Sequence, residues 1–428
     1  MSDQPPLLQV RRRAGRRGRL AVAVLAAVSL QSAPAPGADW PQFLGPARNG
    51  SLSGDDVAAA WPANGPRIVW QKKIGAGFAA PVVAGGKLVL FHRLGDKEIV
   101  EALDATNGAP CWKFEYATAY RDDFGFDPGP RATPAIASGR VFTYGAESVL
   151  HCLDLSAGRA LWSVDCRKAF GADKGFFGPA CSPLVEGENV ILILGGREGA
   201  GVVAFDAQTG AVRWRAVNDQ ASYSSPVIAT LGDRRVVLAI TRGLFTGLDA
   251  ASGRTLFQRP YRPPQHASVT GATPLVVGNQ MFLSAAYDLG ALMLHFEAGA
   301  LREVWSGDDR LSLQYSTPVF KDGHLYGLHG RHDFPGGTEL RCVEWATGAV
   351  RWRKGGLNGA NVTLAGSALL ILTENGELVR AAAKPDQFRE LGRVQILGRG
   401  VRAYPALARG RLYARGKDAL VCVALADP

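Results

Sequence analysis

Short apolar runs broken by glycine-containing turns recur along almost the whole chain, and most are opened by a step from a small hydroxyl residue to proline. The steps are Thr133-Pro134, Ser182-Pro183, Ser225-Pro226, Thr273-Pro274 and Thr317-Pro318, with Ala80-Pro81 and Tyr404-Pro405 as variants. After each come an apolar strand, a turn and a second strand. Proline suits the first position because the opening residue of a strand need not donate to the ladder. Between Pro318 and Pro405 one unit lacks its proline, and Asn361-Val362-Thr363-Leu364 followed by Leu369-Leu370-Ile371-Leu372 fills the gap.

A second signal follows each strand pair: an acidic residue, a glycine four positions on, and a tryptophan four further. It reads Asp104, Gly108, Trp112, then Asp154, Gly158, Trp162, then Asp206, Gly210, Trp214. Asp249 and Gly253 put Phe257 in the tryptophan slot, Glu344, Gly348 and Trp352 form a further copy, and a degenerate copy keeps only Glu297 and Trp305. The spacing is that of a hairpin, since aspartate bonds its own backbone two residues on and glycine supplies the positive φ of a tight turn. Six of the nine tryptophans fall in this slot when Trp70 is counted, which marks them as packing residues between units.

Eight units with a period of about 42 to 53 residues predict an all-β, eight-bladed β-propeller of four-stranded antiparallel blades. The last unit stops after Val421-Cys422-Val423 without a fourth strand, and Arg67-Ile68-Val69-Trp70 supplies one, so pairing of the two termini closes the ring. The expected boundaries are a signal peptide over 1–38, an irregular segment over 39–66 running across one face, and the propeller over 67–428.

Composition agrees with many turns: 52 glycines and 25 prolines accompany 47% hydrophobic residues. The net charge of +10 suggests an anionic partner until the six arginines between Arg11 and Arg19 are set aside. Beyond that stretch the excess is modest and spread out, and no basic run remains to argue for nucleic acid. The same arginines precede an apolar run from Leu20 to Leu30 and a small-residue segment to Ala38, the pattern of a cleaved export signal. The run is shorter than the about 20 residues a spanning helix needs, so no stable membrane span is expected after cleavage. A monomer in the periplasm or extracellular space follows.

The sequence resembles the quinoprotein-like propeller family, which includes an outer-membrane assembly lipoprotein and quinoprotein alcohol dehydrogenases. The stretches that carry the resemblance are Asp39-Trp40-Pro41-Gln42-Phe43-Leu44-Gly45-Pro46, Gly129-Pro130-Arg131-Ala132-Thr133-Pro134, Tyr223-Ser224-Ser225-Pro226 and Leu340-Arg341-Cys342-Val343. They are closest to uncharacterised exported members. The dehydrogenase branch implies pyrroloquinoline quinone (PQQ) with calcium, an aspartate base and a disulfide between adjacent cysteines; no adjacent cysteines occur here. The lipoprotein branch implies a lipidated cysteine, and residues 31–38 contain none.

A propeller offers its function where the innermost strands begin, which nominates Arg131, Tyr223, Ser224, His266, Gln314, Tyr315, Arg402 and Tyr404 for binding an anionic or peptide-like ligand. The competing reading is that these side chains simply pack the channel. Asp122, Asp123 and Asp127 read as a solvated loop, and His324, His329 and His332 as a strand and surface loop rather than a metal site. Cys152, Cys342 and Cys422 occupy a slot filled elsewhere by alanine or glycine and read as core; Cys166 and Cys181 could bridge one connection. With no nucleophile motif or nucleotide fingerprint present, the sequence favours an exported scaffold for a protein or small ligand. The alternatives are a PQQ-dependent dehydrogenase and an envelope assembly factor.

Overall fold

A computed structural model describes residues 1, 38–54, 61–62, 64–333 and 337–426. The predicted leader lies almost wholly outside the described residues. The strands form eight sheets, each built on four antiparallel strands and one extended by a short parallel fifth, with one helix, Cys166–Phe170, among the described residues. First strands are short and follow the proline steps, as in Ala135–Ala137 after Pro134 and Leu184–Glu186 after Pro183. First strands of several neighbouring blades touch one another, as Val82–Ala84 touches Ala135–Ala137 and Ala406–Ala408, and they face a central channel. Second and third strands are buried nearly throughout, as in Lys87–Leu94 and Lys97–Asp104. Fourth strands alternate between half-buried and exposed, as in Ala160–Asp165. We number the blades 1 to 8 from residues 82–117 to residues 406–424.

The acidic hairpin motif works as its chemistry requires. Asp154 Oδ1 accepts from Ser156 N at 2.9 Å and Ala157 N at 2.8 Å, and Asp206 Oδ1 from Gln208 N at 2.9 Å and Thr209 N at 2.8 Å. Gly158 follows at φ 70°, pressed so closely on the Trp112 ring of the preceding blade that a Cβ would lie 2.4 Å from it. The indole then donates across the seam, Trp112 Nε1 to Leu155 O at 2.8 Å and Trp162 Nε1 to Ala207 O at 3.2 Å. The degenerate blade keeps a two-residue turn, with Ala298 and Gly299 at positive φ, and there Phe257 of the preceding blade rests on Phe296 at 5.4 Å.

Blade 8 is closed by Ile68–Lys73 pairing antiparallel with Ala419–Ala424, Trp70 opposite Cys422. Trp70 takes the seam position against Gly108 and donates Nε1 to Ala105 O at 3.2 Å.

The segment around Trp40 runs in contact with the inner strands. Trp40 exchanges both backbone bonds with Val83 at 2.8 Å, and Pro41 O accepts from Ile136 N at 2.7 Å. Arg48 donates to Pro183 O at 2.9 Å and Ser182 O at 3.1 Å, and Gly50 O accepts from Leu364 N at 2.9 Å. Ser51–Leu52 then pairs in parallel with Gly359–Ala365. The segment thus meets first strands or their approaches in blades 1, 2, 3 and 7, and Trp40 and Leu44 are each 1% exposed. Inner strands leave one row of backbone groups unpaired, and this stretch satisfies several of them. It forms a plug across the channel.

The proposed Cys166–Cys181 bridge is not formed. All six cysteines are thiols, and Cys181 Sγ instead accepts from Ile193 N at 3.2 Å within its own blade.

Candidate functional site

Residues immediately ahead of the first strands converge on a cavity of about 250 Å³ at the channel mouth. Arg131, Tyr223, Gln314, Tyr315, Arg402 and Tyr404 all line it, and Phe43 of the plug packs edge-on against Tyr404 at 5.5 Å. The two remaining candidates lie apart. Ser224 is buried and donates Oγ to Ala272 O at 2.9 Å, tying blade 4 to blade 5. His266 borders an adjacent hollow with Lys174 and Arg242.

Within the cavity the roles divide. Tyr404 OH accepts from Thr317 N at 2.5 Å and donates to Thr317 O at 3.1 Å, which clamps blade 6 to the approach of blade 8. Tyr223 OH accepts from Phe176 N at 2.9 Å and Phe177 N at 3.2 Å and so holds the connection over residues 171–183. Tyr315 stacks on His332, ring centroids 4.5 Å apart and planes 18° apart. Gln314 Nε2 donates to Asp333 Oδ1 at 2.8 Å and Tyr287 OH at 2.9 Å.

His332 is therefore no surface residue: its side chain is enclosed and its Nδ1 lies 3.0 Å from Glu374 Oε1. Tyr315 OH donates to the same Glu374 oxygen at 3.3 Å, and Arg402 Nε stands 3.6 Å from it. Burial works against the Glu374 charge, but the hydrogen bond from His332 and the charges of His332 and Arg402 outweigh it and hold the carboxyl below its ordinary range. Asp333 is likewise held low, chiefly by its hydrogen bond from Arg331. Burial pushes the Tyr315 phenol well up, so it stays a neutral donor.

The loop read as solvated is ordered around Asp122. Its oxygens accept from Phe124 N at 3.0 Å, Phe126 N at 3.1 Å and Asp127 N at 3.0 Å, and pair with Arg131 at 2.9 Å. Asp127 is buried too. This turn displays Phe124 and Phe126 at the rim, 56% and 57% exposed, beside Phe177 at 5.1 and 5.8 Å. His332, Asp333 and Glu374 were missed because they reach the mouth from turns that carry no repeat signature; Phe78, Phe126 and Phe177 sit in connections of irregular length.

The quinone-and-calcium pair implied by the resemblance meets a donor set that does not suit calcium. That ion takes six to eight oxygen ligands. One carboxylate, Asp333, lines the cavity and a second, Glu374, bonds to its lining residues; both are engaged, Asp333 by Arg331 and Gln314, Glu374 by His332 and Tyr315. Among the described residues no group of three or more histidine, cysteine, aspartate or glutamate side chains could hold a metal ion.

An eight-bladed ring with a plugged, aromatic mouth defines a propeller of the PQQ-like repeat class. The chain belongs to the family described as outer membrane protein assembly factor BamB, whose profile matches residues 96–354, more than half its length. It is 23% identical over 370 residues to the outer membrane protein assembly factor BamB of Burkholderia pseudomallei, covering 82% of this chain and 85% of that one. It is 27% identical to the quinohemoprotein alcohol dehydrogenase ADH-IIG of Pseudomonas putida over 46% of this chain, which spans only 30% of that enzyme. Among solved structures, BamB from Moraxella catarrhalis superposes with a TM-score of 0.60 at 17% identity, over 83% of this chain and 96% of that one. The quinohemoprotein alcohol dehydrogenase from Comamonas testosteroni gives 0.52 at 15% identity, over 90% and 80%. These structural likenesses show the fold alone. No helix among the described residues is long and apolar enough to cross a membrane.

Proposed function

We propose that the chain is an exported binding scaffold that receives a protein or small ligand at the plugged channel mouth and performs no catalysis there. The observation that carries this reading is the cavity itself: its walls are aromatic, Phe43 of the plug among them, its lining carboxylate Asp333 is paired with Arg331, and Glu374 beside it is paired with His332. A general base must reach the proton it abstracts, and a carboxylate held low by cations is a poor one. An envelope assembly role is the second reading, supported by the near-coextensive match to a BamB relative.

Two measurements test the binding reading. Titration of the purified chain with PQQ and calcium, followed by dye reduction with alcohols and sugars, is expected to give no turnover; turnover would overturn it. A photo-crosslinking residue at position 126, on the mouth rim, should give adducts in envelope extracts that the same group at exposed Val212, on an outer strand, does not. Equal labelling from both positions would remove the mouth as the docking face.

A further inference from the structure

The charges around the mouth can be balanced group by group. Arg131 is neutralised by Asp122 at 2.9 Å, and Arg331 by Asp333 at 2.7 Å. Glu374 is shared: His332 Nδ1 lies 3.0 Å away and Tyr315 OH 3.3 Å, while Arg402 approaches no closer than 3.6 Å. Arg402 makes no hydrogen bond among the described residues, yet it lines the cavity with its side chain only 37% exposed. Its guanidinium carbon lies 5.7 Å from the Phe78 ring centre and 5.9 Å from that of Phe126.

A guanidinium presents five N–H donors in a planar fork matched to a carboxylate, and leaving them unpaired in a partly dry site costs free energy. The surrounding walls are flat: Phe78, Phe126, Phe177, Tyr287 and the stacked pair Tyr315–His332. Such walls reward planar carbon surface, and a volume of about 250 Å³ suits one or two fused rings.

From these features we infer that the mouth binds a small aromatic monocarboxylate, its ring between the phenylalanine and tyrosine walls and its carboxylate on Arg402. The inference rests on the mouth being a binding site and narrows what it takes. Arg402 keeps its donors free of hydrogen bonds, its ion pair with Glu374 being 3.6 Å long, so they can take one ligand carboxylate, whereas ligands carrying two or three leave charge uncompensated in an apolar cavity. This sets the site apart from one built for a polycarboxylate quinone with its metal.

The test uses three probes on the full-length purified chain by titration calorimetry: 2-naphthoate, its neutral amide, and 2,6-naphthalenedicarboxylate. Naphthoate should bind at least about tenfold more tightly than either of the others, the scale of a charge-assisted bidentate pair. Arg402→Gln should abolish the preference for naphthoate over the amide. Phe126→Ala, at an exposed position, should weaken both probes together and keep the preference, which guards against a folding defect in the arginine variant. Equal binding of the amide, a preference that survives Arg402→Gln, or no naphthoate binding at millimolar concentration each overturns the inference. If naphthoate fails while crosslinks from position 126 persist, the aromatic-acid assignment falls and the scaffold reading stands. If both fail, the scaffold reading falls as well.

Discussion

Glu98 carries its carboxyl into the seam between blades 1 and 2, where it is fully buried, accepting from Tyr116 OH at 2.7 Å and Ala146 N at 3.0 Å. Burial raises its pKa above the ordinary value despite both bonds. A raised folded-state pKa means its contribution is fully present below the unfolded value and is lost as pH rises through the folded one. Glu98→Gln should therefore raise the melting temperature at pH 7 to 8 and give no gain below pH 4, read from melting curves across pH. His151, tilted against Tyr116 with ring centroids 4.4 Å apart, runs the opposite way, its pKa lowered to about 4 by burial. Its contribution is present above the unfolded value of 6.5 and lost as pH falls toward 4. At this scale the sequence was partly legible. Tyr315 and Arg402 could be found because they precede a first strand, whereas Glu374, 59 positions from Tyr315, meets it only through the ring. No local pattern records such a meeting.

Five of the blade seams lay one indole on one glycine, with a hydrogen bond from the ring to the next blade's turn. Removing the indole takes away packing and bond together, and the cost should follow burial. Trp214, 7% exposed, should cost about 3 to 5 kcal/mol on change to alanine. Trp162, half-buried in the same slot, should cost less, and equal melting shifts would show that the seam does not follow burial. The seams were the most legible elements because three residue types at fixed spacing dictate a turn, a positive φ and a contact. The plug was the least legible. Beside the contacts of the Arg48 side chain, its bonds to Val83, Ile136 and Leu364 in blades 1, 2 and 7 are made by main chain, and main-chain bonds leave no periodic trace in side chains.

Over the whole ring, the plug and the closing strand do different jobs. Arg48 anchors the plug through two carbonyls in a site dry enough to lower its pKa to about 10, burial being the main cause. Arg48→Ala strands Ser182 O and Pro183 O and should free the segment over residues 39–54. Limited proteolysis should then cut there while the blades stay intact; a plug that remains uncut would mean Arg48 is not its anchor. The eightfold count and the closure of the ring were both legible, since the last unit lacks a strand and the first segment resembles one.

The closing strand also fixes an order of events. Ile68–Lys73 leaves the ribosome before any blade exists, yet its partner, Ala419–Ala424, is made last. While the blades between them are made, this strand waits with bare edges, the state in which chains pair wrongly with one another. Lys72 and Lys73 stand at its end, and charges of that kind discourage a stranger from docking. The latch is guarded until its own catch arrives.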